Sequence, residues 1–356
     1  MKIKQILIQD VRRAALADDE IPDEPYADHL LIKSEFTFIS AGTELSIFTA
    51  LAKSVHAPGN WTSYPCKSGY ANVGTVLAVG PGAEARAKVG QRVFTYGKHA
   101  SHFIYDTVRG LVMPVPEDLG GDEAAASRMA GVAASALAPL ERQTSNPVVA
   151  VLGLGAVGNF AAQLYQAVGA TVVGIDPVAE RRALAGRCGV RHTLPGGTLE
   201  ETRAQVAALD LSDGRLGGYA DIAVEATGIT RLAPLALGLA ANGGQVVLVG
   251  SPRAPHQDDV QPLFSEIHLR NLTVRGALEW SLPVYPVKPI WDQPHFVMTA
   301  SSLYDKQAML FRWMREKRIR VAPVISHRLP PSRAQEGYDG LADHPETFTG
   351  VLFDWR

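Results

Sequence analysis

Alternating apolar and polar positions predict strands in the first third of the chain. Within Leu30–Phe38 the residues Leu30, Ile32, Ser34, Phe36 and Phe38 alternate with Lys33, Glu35 and Thr37. A period of two is typical of a half-buried strand. Two shorter runs bounded by Gly or Pro, Val73–Val79 and Arg92–Tyr96, predict further strands. An Ala-rich helical pattern then extends over Glu123–Leu140.

From Val148 onward, predicted strands alternate with predicted helices. Strand Val148–Leu152, helix Asn159–Val168 and strand Thr171–Ile175 form a βαβ unit of about thirty residues. Such alternation predicts a parallel sheet with helices on both faces. The later elements of this region are helices Ala179–Cys188 and Leu232–Ala241 and strands Asp221–Glu225, Gln245–Val249 and Leu272–Gly276. A Pro-rich aromatic stretch, a helix at about Leu303–Lys317 and a strand at Phe348–Phe353 complete the chain.

Composition narrows the class of protein. The chain has 356 residues, 46% hydrophobic and 20% charged, which suits two ordinary globular domains. A net charge of −2 gives no overall field that favours nucleic acid or an acidic membrane surface, so we expect neither as a partner. The basic run Arg312–Arg320 is interleaved with apolar residues, which is typical of the exposed side of an amphipathic helix.

The two cysteines, Cys66 and Cys188, indicate a reducing compartment and not a disulfide framework. They also exclude a structural zinc site with four cysteines in one chain. The N-terminal residues lack an apolar stretch long enough for a signal peptide, and no apolar run is long enough to span a membrane. We therefore expect a cytoplasmic protein.

Residues Gly153–Gly158 (GLGAVG) match the G-x-G-x-x-G fingerprint of dinucleotide-binding proteins. The hexamer follows a predicted strand and opens a predicted helix, as the motif requires. Gly153 permits the tight turn, Gly155 lets the backbone approach the pyrophosphate, and Gly158 lets helix and strand pack closely. The helix start, Ala156 and Val157 included, offers free N–H groups to the phosphates.

Asp176 ends the next predicted strand, where a carboxylate can accept both ribose hydroxyls of NAD and repel the extra phosphate of NADP. Arg181 and Arg182 follow closely, and an arginine there could instead receive that phosphate or simply be solvated. The sequence therefore favours NAD over NADP as the cofactor.

A series of short motifs resembles the medium-chain dehydrogenase/reductase superfamily over nearly the whole chain. Tyr64–Gly74 and Phe38–Glu44 resemble in particular a zinc-independent branch that includes bacteriochlorophyllide hydroxyethyl dehydrogenases. In chain order the motifs are Ser40–Glu44, Gly69–Ala71, Val73–Val76, Lys88–Val93, the glycine fingerprint, Glu225–Gly228, Gly243–Val246 and Ile325–Arg328.

The resemblance implies an α/β architecture in which a Rossmann domain, a doubly wound parallel sheet, is inserted into a GroES-like β-rich catalytic domain. The catalytic domain would comprise residues 1–130 and 279–356, and the cofactor domain residues 131–278. It also implies that Arg181, Thr227 and Gly250 contact the cofactor, and that the protein is a homodimer or higher homo-oligomer joined through cofactor-domain sheet edges.

The residues at the metal-binding positions of zinc relatives differ here. Those relatives hold zinc with a Cys, a His and a third Cys or Asp, with a Glu nearby; the corresponding residues here are Ala41, Tyr70 and Ala71, and the third-ligand region is Ser127–Met129. Catalytic zinc needs three protein donors and one open position. We therefore expect a member without zinc.

An enzyme without zinc must stabilise or protonate the substrate oxygen with its own side chains. Thr43 matches the proton-relaying hydroxyl of zinc relatives, or caps the next helix. Glu44 is a base if burial raises its pKa, or a carboxylate favoured at a helix start. Tyr70 is an oxyanion donor, or fills the pocket. His99 titrates near neutral pH, or is structural.

Several other side chains are weaker candidates for the substrate site. Lys67 and Arg128 could neutralise an anionic substrate. Trp61, Trp280 and Trp291 could line a pocket, or pack in a core or a subunit interface.

These features favour an NAD(H)-dependent oxidoreductase that interconverts a secondary alcohol and a ketone on a polyol, a sugar-like compound or a biosynthetic small molecule. One alternative is an enoyl or quinone reductase, although such relatives usually use NADPH. The other is a dinucleotide-binding protein without catalytic activity.

Overall fold

A computed structural model of the protein describes residues 1–137, 146–211, 217–254, 256–286 and 302–356. In chain order its strands and α-helices are β1 (Lys2–Asp10), β2 (Arg13–Glu20), β3 (His29–Phe38), α1 (Ala41–Phe48), β4 (Cys66–Lys67), β5 (Asn72–Val79), β6 (Arg92–Thr95), β7 (His102–Asp106), β8 (Val112–Pro114), α2 (Gly121–Ala134), β9 (Val148–Leu152), α3 (Ala156–Ala167), β10 (Thr171–Ile175), α4 (Ala179–Arg187), β11 (His192–Leu194), α5 (Leu199–Ala207), β12 (Ala220–Glu225), α6 (Ala233–Leu239), β13 (Ala240–Leu248), α7 (Gln261–Leu269), β14 (Thr273–Gly276), α8 (Leu303–Arg315), β15 (His327–Leu329), α9 (Ala334–Asp343) and β16 (Val351–Asp354).

The chain divides into two units, each with its own core. The first unit comprises Met1–Gly131, Glu279–Lys317 and Ile325–Arg356, and the second comprises Val132–Leu278 and Arg318–Val324. The residues Arg318–Val324 thus belong to the second unit although they come late in the chain.

The first unit is rich in β structure. Its larger sheet has the order β15-β16-β3-β5-β6-β8, and β7 also pairs with β3. β3 is central, and its alternating pattern buries Leu30 and Ile32 fully while Lys33 is exposed. A smaller sheet has the order β2-β1-β4, and Ile6 and Ile8 of β1 are buried beside Phe48 of α1.

The second unit contains a parallel sheet in the order β11-β10-β9-β12-β13-β14. Every residue of β9 is buried, which explains why Val148–Leu152 is a continuous apolar run and not an alternating one. From β9 the sheet continues through β10 on one side and through β12 on the other. A ligand of such a sheet binds outside the carboxyl ends of the strands at this switch point.

The predicted α/β fold with one parallel sheet and a separate β-rich region is confirmed. β3, β5, β9, β10, β12, β14 and α8 match their predicted ranges to within two residues. The basic run also has the predicted form, because Phe311, Trp313, Met314 and Ile319 are buried while Arg312 and Arg315 are mostly exposed.

Several predicted ranges were wrong in extent. The helix predicted over Asn159–Val168 begins at Ala156, and the strand predicted over Gln245–Val249 begins at Ala240. The helix predicted over Glu123–Leu140 ends at Ala134, because Ser135, Ala136 and Leu137 form tighter turns with carbonyls three residues back. Ala240 and Ala241, predicted as helix, open strand β13, whose irregular pairing with β12 accommodates Gly243 at a φ of 70°. The last strand runs over Val351–Asp354 and not over Phe348–Phe353.

Candidate active site

The glycine fingerprint lies at the switch point of the parallel sheet, between β9 and α3. Gly153 has a φ of 87°, which favours glycine, and a Cβ on it would lie 2.7 Å from Thr227 Cγ2. A Cβ on Gly158 would lie 1.8 Å from the Gly153 carbonyl oxygen. These two glycines therefore allow the turn and the helix to approach each other closely.

Gly155 has a different role from its neighbours. It is the N-cap of α3, and a Cβ on it would meet no atom within 4 Å. The open space faces the start of a helix of 12 residues, beginning with Ala156 and Val157, where free N–H groups favour an anion. The backbone here fits the pyrophosphate of a dinucleotide.

Asp176 follows β10 and is 2% exposed. Its carboxylate accepts hydrogen bonds from Leu154 N at 2.8 Å and from Val178 N at 2.9 Å, and Arg181 Nη1 lies 3.7 Å from Oδ2. The carboxylate thus holds the glycine-rich turn to the end of the neighbouring strand. Arg182 donates to the Asp176 and Pro177 carbonyl oxygens at 2.7 and 2.9 Å.

Glu225 organises the loop after β12, and sequence reasoning gave it no role beyond its place in a family motif. Its carboxylate accepts hydrogen bonds from Thr227 N at 2.7 Å, from Gly228 N at 3.1 Å and from the Thr227 hydroxyl. A Cβ on Gly250 would lie 2.1 Å from Gly228 N, so this glycine lets the next loop pass close by. Thr227 is thereby fixed beside Gly153 at the carboxyl end of the sheet.

A group of hydroxyl side chains lies at the start of α1 in the first unit. The Tyr70 hydroxyl forms a hydrogen bond with Ser40 Oγ and donates to Thr43 Oγ1 at 3.4 Å. Ser40 is the N-cap of α1, so Thr43 lies within the helix and does not cap it. The predicted residues Thr43 and Tyr70 are therefore neighbours, and Ser40 is a third member that the sequence did not single out.

Glu44 and His99 form a buried pair beneath this group. His99 Nε2 lies 3.0 Å from Glu44 Oε2, and the two side chains are 0% and 2% exposed. Glu44 also accepts hydrogen bonds from Ser40 N at 2.8 Å and from the Tyr338 hydroxyl at 2.6 Å. The Tyr338 hydroxyl is in turn 2.9 Å from Ser68 Oγ.

The pKa of Glu44 is lowered and not raised. Burial by itself would raise it, but the charge of His99 and the hydrogen bonds from His99, Tyr338 and Ser40 outweigh that cost. The raised pKa that a catalytic base would need is therefore not found. Glu44 is a paired carboxylate that connects α1 with His99 and with α9.

A buried ion cluster lies beside Tyr70. Arg128 Nη2 is 2.6 Å from Glu279 Oε2, and Lys306 Nζ is 2.9 Å from Glu279 Oε1. The guanidinium carbon lies 4.1 Å from the centre of the Tyr96 ring and 4.8 Å from that of Tyr70. Arg128 thus packs against the residue that occupies a metal-ligand position in zinc relatives.

The side chains at the expected zinc positions do not fit a catalytic zinc ion. Ala41 and Ala71 have no donor atom, and the neighbour of Tyr70 is a cation. Among the residues that the structure describes, no three His, Cys, Asp or Glu side chains converge as metal ligands.

The remaining sequence candidates lie apart from these groups. Lys67 forms an ion pair with Asp19 at 2.7 Å, and Trp61 is 67% exposed. Trp280 is 59% exposed, and its ring centre is 5.8 Å from the Arg128 guanidinium carbon. Trp291 lies outside the described residues. No helix in the described ranges is both long and apolar enough to cross a membrane.

Known proteins share both the sequence features and the fold. The family model described as zinc-binding dehydrogenase matches residues 156–286. L-threonine 3-dehydrogenase of Bacillus subtilis is 25% identical over 201 residues, 56% of this chain and 49% of that protein. D-guloside 3-dehydrogenase of Shigella flexneri is 29% identical over 234 residues, 65% of this chain and 63% of that protein. The matched segments therefore span about half to under two thirds of these relatives.

Solved structures match over the full length. 2R,3R-butanediol dehydrogenase from Bacillus subtilis superposes with a TM-score of 0.77 at 18% identity, covering 99% of both chains. Galactitol-1-phosphate dehydrogenase from Escherichia coli gives 0.77 at 19% identity, again over 99% of each chain. Residues 156–286 are thus similar to the zinc-binding dehydrogenase family, and the whole chain shares the fold of these solved dehydrogenases.

Proposed function

We propose that this protein is an NAD(H)-dependent oxidoreductase of the medium-chain dehydrogenase/reductase superfamily that works without zinc. It interconverts a secondary alcohol and a ketone on a polyol, a sugar-like compound or a biosynthetic small molecule. The observation that carries the proposal is the cluster of the Tyr70, Ser40 and Thr43 hydroxyls, in which Tyr70 occupies the position of a ligand His in zinc relatives. The relatives that match in sequence are named as threonine and guloside dehydrogenases, which supports an alcohol as the substrate.

The second unit supplies the proposed cofactor site. Gly153, Gly155 and Gly158 would hold the pyrophosphate at the start of α3, and Asp176 would hold the ribose. Thr227 and Gly250 would contact the cofactor from the neighbouring loops. A bound nicotinamide dinucleotide supplies or accepts the hydride.

The first unit supplies the proposed proton. In the reducing direction the Tyr70 hydroxyl donates a hydrogen bond to the substrate carbonyl oxygen and transfers its proton as the hydride reaches the carbonyl carbon. The phenolate is stabilised by the Ser40 and Thr43 hydroxyls and by the Arg128 cation beside the ring, and it regains a proton from solvent. Oxidation of the alcohol is the reverse sequence.

A test of this proposal combines a substrate panel with Tyr70→Phe. The wild-type protein, dialysed against EDTA, should oxidise at least one secondary alcohol or polyol with NAD+ and more slowly with NADP+. Tyr70→Phe should lower kcat by about 100-fold or more with a small change in KM. Tyr26→Phe, at a tyrosine that is 60% exposed, is the matched control and should keep full activity.

Three outcomes would overturn the proposal. Turnover of enones or quinones with NADPH but of no alcohol would indicate the enoyl reductase activity. If NADH binds but no compound of the panel is turned over, the protein only binds the dinucleotide. Activity that disappears with EDTA and returns with stoichiometric zinc would refute the metal-free mechanism.

A further inference from the structure

The ion cluster beside Tyr70 has an excess of positive charge. Glu279 is a single carboxylate, and each of its oxygens faces a different cation: Arg128 at 2.6 Å and Lys306 at 2.9 Å. All three side chains are buried, with exposures of 1%, 3% and 8% for Arg128, Glu279 and Lys306. Over the described residues, these ion pairs join two cations and one anion, which gives a net charge of +1 among buried side chains.

Arg128 also has unused hydrogen-bond donors. Its Nε and Nη1 atoms are buried and have no hydrogen-bond partner among the described residues, since only Nη2 faces Glu279. Buried donors without a partner lose the hydrogen bonds that water would give them. Arginine needs oxygen acceptors in these directions, and a negatively charged acceptor would also balance the charge.

The aromatic rings around Arg128 attract its charge but do not supply the missing hydrogen-bond acceptors. Tyr96, Tyr70 and Trp280 place their rings 4.1, 4.8 and 5.8 Å from the guanidinium carbon. Ring faces attract a cation, but they accept no strong hydrogen bond from Nε and Nη1 and carry no net charge. They also remove water from the site, which strengthens the attraction of Arg128 for an anion.

We propose that Arg128 is the anchor for a carboxylate of the substrate, so that, within the proposed substrate range, the protein prefers hydroxy acids and oxo acids to neutral polyols. The inference rests on the proposed alcohol–ketone activity, because it places the carboxylate on Arg128 and the reacting oxygen on Tyr70. The two residues share one ring contact, so the carboxylate lies only a few bonds from the reacting carbon. Trp280 is 59% exposed, so the aromatic surround of Arg128 reaches the solvent on this side.

The experiment compares acids with neutral partners of the same skeleton. Lactate, 3-hydroxybutyrate and 4-hydroxyvalerate are each paired with the diol in which the carboxylate is replaced by CH2OH. Binding to the protein saturated with NADH is measured by titration calorimetry, and turnover with NAD+ is measured in parallel. We expect at least one acid to bind ten times or more tightly than its diol.

Three variants change the net charge of the cluster in opposite directions. Arg128→Met and Lys306→Met bring it to zero, and Glu279→Gln brings it to +2. Arg128→Met should reduce the preference for the acid to less than twofold, and Lys306→Met should reduce it in part. Glu279→Gln should raise the affinity for the acid at least threefold, whereas a purely structural ion cluster predicts no gain. This last variant keeps the test decisive if Arg128→Met does not fold.

The outcomes separate this inference from the proposed function. If diols are oxidised and no acid binds better than its diol, the alcohol dehydrogenase proposal stands and the carboxylate anchor is refuted. If the acid binds with the expected dependence on charge but neither compound is oxidised, the anchor stands and the proposed reaction fails. An acid preference that is unchanged in both Arg128→Met and Glu279→Gln also refutes the anchor.

Discussion

Gly155 and Gly186 are two helix-associated glycines at which an added methyl group meets no neighbouring atom. Gly155→Ala should therefore keep the stability of the protein, but the methyl group would occupy the space proposed for the pyrophosphate. We expect NADH to bind at least tenfold more weakly, a loss of about 1.4 kcal/mol or more. Fluorescence titration with NADH and thermal unfolding measure the two effects separately.

Gly186→Ala, inside α4, is the matched control for that substitution. It should keep the affinity for NADH and raise stability by about 0.5–1 kcal/mol, because alanine is favoured over glycine in a helix. Unchanged NADH affinity in Gly155→Ala would contradict the assignment of the fingerprint as the pyrophosphate site.

The lowered pKa of Glu44 leads us to expect a specific dependence of the stability of the protein on pH. Its pKa is lowered in the folded protein from an ordinary value of 4.5, so its stabilising contribution is complete above that value and is lost as the pH falls through the lowered pKa. Glu44→Gln should lower the free energy of unfolding at pH 7 by about 2 kcal/mol, the size of a buried charged hydrogen bond. The difference in the free energy of unfolding between Glu44→Gln and the wild-type protein should shrink as the pH falls below 4.5.

Urea unfolding of wild type and Glu44→Gln between neutral and acidic pH tests this expectation. Asp343→Asn is the control, because Asp343 pairs with Arg12 at the surface and should contribute less than about 1 kcal/mol. A difference for Glu44→Gln that stays constant down to strongly acidic pH would exclude the ionised Glu44 carboxylate as its source.

At the scale of elements, helix α5 depends on a capping box that the sequence reading missed. The Thr198 hydroxyl accepts a hydrogen bond from Glu201 N at 3.2 Å, and the Glu201 carboxylate accepts one from Thr198 N at 2.8 Å. Thr198→Ala should cost about 1 kcal/mol of stability. Amide hydrogen exchange should become faster within α5, while Glu201→Gln, which keeps the box, should change little.

The elements that the sequence predicted well are those with a strong pattern of their own. β3 alternates, β9 is a continuous buried run, and α3 follows a glycine fingerprint. β2, in contrast, has the sequence RAALADDE, in which Ala14 alone is fully buried. It is a strand because residues 2–10 of β1 pair with it in register, and such pairing is not a property of its own residues.

In the candidate site, too, the residues that belong to a local sequence pattern were easier to predict than those brought together by the fold. The glycine-rich turn is local, so one stretch of sequence was enough to locate it between β9 and α3. The polar groups of the first unit are assembled from distant residues: Glu44 meets Tyr338, and Arg128 and Lys306 both meet Glu279. An arginine among the alanines of α2 was the one signal of a buried charge there, and the sequence could not supply its partners.

At the scale of the whole molecule, the remaining prediction is a homo-oligomer. β14 is the last strand of the parallel sheet over the described residues, so one of its edges has no partner strand. Large apolar side chains are exposed along α7, β14 and the residues that flank them: Val260, Phe264, Leu269, Val274 and Leu278. An exposed edge next to exposed apolar residues is typical of a surface that pairs with another chain.

We therefore expect the protein to form a dimer through this surface, as the family resemblance implies. Leu269, 79% exposed, and Val274, 38% exposed, give two positions at which a charge should oppose association. Leu269→Glu and Val274→Glu should shift the mass measured by light scattering from dimer to monomer. Val168→Glu is the control, since Val168 is an exposed apolar residue of the same unit, 55% exposed, directly after α3. A wild-type protein that is monomeric at micromolar concentration, or a dimer unaffected by both substitutions, would refute pairing through the β14 edge.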